Sequence, residues 1–173
     1  ENKGASFTRS RGLNESCADW ILFLDDDVIP SPDLLFVYCE EIARSGHMYA
    51  GYVGATHMPD YRDNSKEAAT SIYTKGIQLV HLLHFWADHV SESDRNLAPW
   101  GITAQLCIRR TKEQRFNDIF PKTGGGEDID FCLRTCRQLK LPLKNLPDAR
   151  CLHPWWNKGQ VSISRLFGWA KGD

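Results

Sequence analysis

Residues 20–30 read WILFLDDDVIP, and this stretch decides how the rest of the chain is read. Five apolar residues, Trp20 to Leu24, end abruptly in three adjacent aspartates before Val28, Ile29 and Pro30. A short continuous apolar run with polar flanks predicts a buried strand. A buried strand that ends in charge places that charge at the strand's carboxyl end, where open α/β sheets bind ligands. Asp25, Asp26 and Asp27 repel one another, so ionising all three beside a core is costly unless a cation is shared among them. Hard oxygen ligands suit Mg²⁺ or Mn²⁺, ions that also hold phosphate oxygens. The plainer alternative is an acidic loop in which Asp25 or Asp27 caps the following turn.

Outward from this stretch, the pattern alternates strands with helices. Residues 6–18 are predicted as a short helix, and Ser31-Pro32-Asp33 as the start of another, with Ser31 as N-cap and Pro32 in the first turn. That second helix carries Leu34, Leu35, Tyr38 and Ile42 on one face and stops near Gly46. Further expectations are a strand over 49–56, a polar loop over 60–66 and a helix from about 67 to 86. A strand over 103–110, a helix over 127–140, short strands over 143–146 and 149–152, and an amphipathic segment over 162–170 complete the order. This alternation argues for one α/β layer with a largely parallel sheet.

Composition narrows the function. The 173 residues suffice for one domain with a core, and 21 basic against 22 acidic residues leave no field to attract nucleic acid. No window approaches the roughly 18 to 20 apolar residues of a membrane span. The six cysteines form neither a metal nor a disulfide signature. Cys132 and Cys136 share a helix face, Cys17, Cys39, Cys107 and Cys151 sit in apolar contexts, and all are expected as reduced thiols.

Two more segments carry chemistry. TGGGEDID, residues 123–130, sets Glu127, Asp128 and Asp130 behind three glycines at a helix start. Capping explains one acidic residue there; three after a flexible turn invite a catalytic reading. CLHPWW, residues 151–156, puts His153 after a short strand and before a proline that keeps it extended, a third candidate metal ligand. Other features read as structural. His81, His84 and His89 could suggest zinc, but they lie in an apolar helical pattern that better fits a packed or rim-facing helix, or else an acceptor-binding or membrane-facing surface. RRTKEQR at 109–115 fits a solvated loop, and the sequon Asn14-Glu15-Ser16 falls in a predicted helix.

Together these segments resemble the glycosyltransferases of the GT-A fold, most closely the family-2 group. Arg9-Ser10-Arg11-Gly12-Leu13 resembles that family's Arg-Asn-x-Gly-Leu segment, with Ser10 in place of Asn. DWILFLDDDVIPSPDLL resembles its strand and Asp-x-Asp motif, and APWGITAQLCIRR its acceptor-side segment. GGGEDIDFCLR resembles its Glu-Asp motif, and CLHPWW its metal-binding histidine.

The resemblance implies a Rossmann-like, mixed but mostly parallel sheet flanked by helices, and transfer of a sugar from a UDP- or GDP-sugar to an acceptor hydroxyl, with inversion as the usual outcome. It places Asp25, Asp27 and His153 on Mn²⁺ or Mg²⁺, and Asp25, Asp26 and Arg9 on the nucleotide side. It makes Asp128 the general base with Glu127 beside it, and lines the substrate pocket with Trp100, Gly101, Gly125 and Gly126. Asp130 is expected to brace the helix start instead. The acceptor is open between carbohydrate, lipid and protein, and the compartment between cytosol, Golgi lumen and a membrane-attached site.

The family's first strand–helix–strand unit has no counterpart here. The resemblance therefore implies that residues 1–173 are an internal part of a longer catalytic domain, incomplete at the N-terminus, with WILFL short of a neighbour and weak donor binding on its own. Two rival readings are a metal-dependent phosphoryl or nucleotidyl transferase, which would want a phosphate-cradling lysine motif, and a non-catalytic sugar-binding relative, which would not need Asp128.

Overall fold

The computed structural model describes residues 3–59, 68–70, 97–120, 125–153 and 164. Three helices and seven strands are described: α1 (Ala5–Glu15), β1 (Trp20–Leu24), β2 (Ile29–Pro30), α2 (Leu34–Ser45), β3 (Gly51–Pro59), β4 (Ala68–Thr70), β5 (Leu97–Ala98), β6 (Gln105–Arg109), α3 (Glu127–Leu139) and β7 (Leu143–Leu152). The strands form one mixed sheet in the order β1-β6-β3-β7-β2, with β4 paired to β3 and β5 to β7. The fold is mixed α/β. Among the described residues no helix is long and apolar enough to cross a membrane.

The expected largely parallel sheet is not what forms. β6 lies antiparallel between β1 and β3, and β2, β4 and β5 each pair antiparallel with a neighbour; β3 and β7 make the single parallel pair among the described strands. β1, β3 and β7 still run the same way, because β1 and β3 both oppose β6 and β7 parallels β3. Periodicity reports which faces a strand buries, not which direction it runs, so this feature lay outside what the pattern encodes.

Side chains pack on both faces of the sheet, so Trp20 to Phe23 are apolar in turn. The strand expected to be buried is nevertheless an edge strand of the described sheet, its first four residues half-buried and its last, Leu24, exposed. On one face Ile21 and Phe23 of β1, Val53 of β3 and Leu106 and Ile108 of β6 pack with Leu13 of α1 and Phe131 and Cys132 of α3. Phe116 stacks on Phe131 at a centroid distance of 4.0 Å, with Phe23 edge-on to both rings. On the other face Trp20, Leu22, Tyr52 and Cys107 pack with Leu34 and Tyr38 of α2. Neighbouring residues of each strand thus serve opposite clusters.

Several local expectations shift. α2 begins at Leu34, and it is the carbonyl of Ser31, not its hydroxyl, that accepts the Leu34 N–H. Leu35 is exposed, whereas Glu41, one turn beyond Tyr38 on the inward face, is buried. Its charge is met by Lys144 of β7 at 2.6 Å and by Arg44. The expected helix from 67 starts instead with β4, captured by pairing with the extended end of β3; residues 71–86, with His81 and His84, lie outside the described residues, as do His89 and the segments 60–66 and 165–170. The two short strands expected over 143–152 are one strand whose register against β3 breaks between Gly54 and Ala55. All six cysteines are free, but Cys17 and Cys39 are exposed rather than packed.

Candidate metal and carboxylate site

The orientation of the strands assembles the site. Leu24, the last residue of β1, pairs with Gln105, the first of β6, so the aspartates after β1 lie beside the turn that leads into β6. That turn, Ile102 to Gln105, closes through Gln105 N–H donating to the Ile102 carbonyl at 3.1 Å. The carbonyl of Ala104 within it accepts the Asp25 N–H at 3.3 Å. The N-terminus of α3 and the C-terminus of β7 arrive at the same sheet edge.

Asp25 to Val28 form a turn, Val28 N–H donating to the Asp25 carbonyl. The chain then doubles back as β2, pairing Ile29 with Leu152 next to His153. That pairing brings Asp27 and His153 together from residues far apart in sequence. His153 Nε2 lies 3.5 Å from Asp27 Oδ1 and 3.8 Å from Asp25 Oδ2. One ligand atom from each of the three residues falls within 4.8 Å of the others. His153 is buried, Asp25 half-buried and Asp27 exposed, so the cluster opens on one side to solvent. Two carboxylate oxygens and one imidazole nitrogen are a donor set for a divalent cation with room for waters or substrate oxygens. The cluster can hold a metal ion. Burial raises the Asp25 carboxyl above its ordinary range, with Arg9 and His153 pulling the other way. Asp26 is exposed and, among the described residues, takes no part in the site's hydrogen bonds or ion pairs.

Arg9, on α1, reaches both acidic groups. Its guanidinium donates to Glu127 Oε1 at 2.8 Å and Asp128 Oδ1 at 3.3 Å, and its other terminal nitrogen lies 3.9 Å from Asp25 Oδ1. It also sits over the Phe116 ring, 5.7 Å from the centroid, while the Phe116 N–H donates to Ser10. Arg9 thus links Asp25 of the candidate cation cluster to the carboxylates of α3.

Gly125 and Gly126 both take positive φ, 119° and 77°, and that geometry starts α3 with Glu127 turned back so that its carboxylate accepts the Gly125 N–H. Glu127 is buried, and Asp128 is held by Thr103, whose N–H donates to Oδ2 at 3.1 Å and whose hydroxyl donates to Oδ1 at 3.0 Å. Burial, opposed by Arg9 and assisted by the Glu127 charge, lifts the Asp128 carboxyl to about 6. Asp130 points elsewhere: it pairs with Arg134 one turn on, at 2.7 and 2.9 Å. Trp100 is half-buried against the core, and Gly101 is buried, its N–H on Cys132 Sγ and its Cα against Val53 and Leu106. A Cβ at Gly101 would lie 2.8 Å from Val53, so the close packing there favours glycine.

Sequence reasoning missed Thr103, reading it as the first residue of a strand. The one available signal was its place at the amino end of β6, which becomes informative only when β6 is known to run against β1. No protein-family model matches this chain, and no curated protein matches it significantly.

Proposed function

We propose that this chain carries the catalytic site of a metal-dependent glycosyltransferase of the GT-A type, moving a sugar from a nucleoside diphosphate sugar to an acceptor hydroxyl. The observation that carries the reading is the span of Arg9: one guanidinium touches Asp25 of the cation cluster and Asp128 of α3. A cation site and a carboxylate with a raised pKa therefore sit side by side, as transfer from a diphosphate to a hydroxyl needs.

Asp25, Asp27 and His153 would hold Mn²⁺ or Mg²⁺. When bound, the ion supplies positive charge to the diphosphate that leaves the sugar. The chain's own residues do the rest. Asp128, ionised above about pH 6, accepts the proton of the acceptor hydroxyl as that oxygen attacks. Glu127 and Arg9 fix the carboxylate's surroundings, and Asp130, committed to Arg134, stays out of the chemistry.

The test is product analysis with the intact protein, Mn²⁺, UDP- and GDP-sugars and a panel of carbohydrate acceptors. Nucleoside diphosphate released in step with glycosylated acceptor is the expected result. Nucleoside monophosphate or sugar phosphate as the product would make the protein a phosphoryl or nucleotidyl transferase. Saturable sugar-nucleotide binding without turnover would make it a binding protein.

A further inference from the structure

The turn Ile102–Gln105 contacts both halves of the site, yet nothing in the chemistry above uses it. Thr103 is 1% exposed, too buried to serve as a surface residue. Its two donors take the two Asp128 oxygens separately, N–H to Oδ2 and hydroxyl to Oδ1, while the next residue's carbonyl holds the backbone of Asp25. Oδ1 also receives Arg9, so among the described residues it accepts two hydrogen bonds and Oδ2 accepts one. A carboxylate oxygen has two lone-pair directions in its plane. Oδ1 is filled, and Oδ2 keeps one direction open.

We propose that Thr103 is a positioning residue, holding the Asp128 carboxylate so that Oδ2 is the atom that takes the acceptor's proton; the identity of that acceptor rests on the glycosyl-transfer reading. In the step, the acceptor O–H bond breaks and its proton moves to Oδ2. The oxygen's electron pair forms the bond to the anomeric carbon. The bond from that carbon to the diphosphate oxygen breaks, and its electrons leave with the diphosphate. Among the described residues, the charged and titratable groups around Asp128 are Arg9 from α1, Glu127 and Cys132 on α3, and Asp25 across the guanidinium. A hydroxyl hydrogen bond to a carboxylate favours its ionised form, so its loss moves the titration upward.

The experiment follows the Asp128 carboxyl carbon by NMR across pH in the intact protein, without donor or acceptor and with metal chelated, using Asp128→Asn to assign the signal. Thr103→Val keeps the branched shape and the N–H but loses the hydroxyl, and its midpoint should rise by about half a pH unit or more, whereas Thr103→Ser should titrate like the wild type. A Thr103 that only packs would change unfolding temperature and leave the midpoint alone. An unmoved midpoint in Thr103→Val, or an equal rise in Thr103→Ser, overturns the proposal. If Thr103→Val does not fold, Thr103→Ala and Thr103→Cys carry the same measurement. The acid limb of kcat should move with the midpoint. A moved midpoint in a protein that transfers no sugar would discard glycosyl transfer and leave the holding of Asp128 by Thr103 in place. Sugar transfer with an unmoved midpoint would do the reverse.

Discussion

At Asp128 burial and hydrogen bonding act against each other on one carboxylate. Burial disfavours the charge, Arg9 and Thr103 favour it, and burial wins, leaving the group near 6 against an ordinary value of 3.8. The folded state therefore binds this proton more tightly than the unfolded chain does. Stability contributed by the group falls as pH rises from about 4 to about 6, by up to about 3 kcal/mol. Asp128→Asn has no such proton, so its unfolding free energy relative to wild type should shift in the variant's favour by up to that amount over this window, measured by urea denaturation at stepped pH. A constant difference between the two proteins would mean that the carboxyl is not raised. On the glycosyl-transfer proposal, Asp128→Asn should cut turnover by about 10² or more, while Asp130→Asn, losing only its pair with Arg134, should stay near wild type. Comparable losses in the two variants would move the base away from Asp128.

Among the elements, α2 is anchored to the sheet by charge as well as by apolar contact. Its Glu41 is 3% exposed; burial alone would raise the carboxyl, but bonds from Lys144 and Arg44 outweigh burial and hold it below its usual value. A lowered carboxyl stabilises the fold above its unfolded pKa, and that contribution disappears as pH falls through the folded one. Lys144→Met should therefore cost about 1–3 kcal/mol at neutral pH, less than a fully stripped buried charge because Arg44 remains, and the deficit should shrink towards pH 3. Chemical denaturation at both pH values checks it; equal deficits would show that the pair contributes nothing through charge. The β3–β6 contact has no such slack. A Cβ on Gly51 would stand 2.6 Å from the Cys107 carbonyl, a backbone atom that cannot swing aside. Gly51→Ala should destabilise by about 1–3 kcal/mol, read as a lowered urea midpoint with unchanged slope.

For the whole molecule, the cation cluster joins two distant parts of the chain. Asp27 follows β1, His153 follows β7, and the β2–β7 pairing that unites them exists only in the folded state. An ion that binds the folded chain and not the unfolded one must stabilise it, by about 2.7 kcal/mol at 100 times its dissociation constant. Mn²⁺ should accordingly raise the thermal midpoint of the wild type and leave Asp27→Ala and His153→Ala unmoved. An equal rise in all three would place the ion elsewhere.

The acidic groups and the histidine were legible in the sequence as candidates because they stand together or beside breaks in the apolar pattern, at DDD, GGGEDID and CLHPWW. WILFL was legible as a strand, but not its burial: β1 is the edge strand of the described sheet, Trp20 to Phe23 are only half-buried and Leu24 is exposed. The sequence by itself thus determined the α/β class, the strand at WILFL and the identities of most charged groups. Tertiary structure alone decided that β6 runs against β1, that β2 folds back beside His153, that Arg9 spans two carboxylate groups and that Thr103 holds Asp128. These are contacts between residues such as Thr103 and Asp128, or Arg9 and Glu127, that lie far apart along the chain. Hydrophobic periodicity fixes which side of an element is buried, but strand direction and side-chain pairing follow from which elements meet, and that is set only when the whole sheet closes over its two cores.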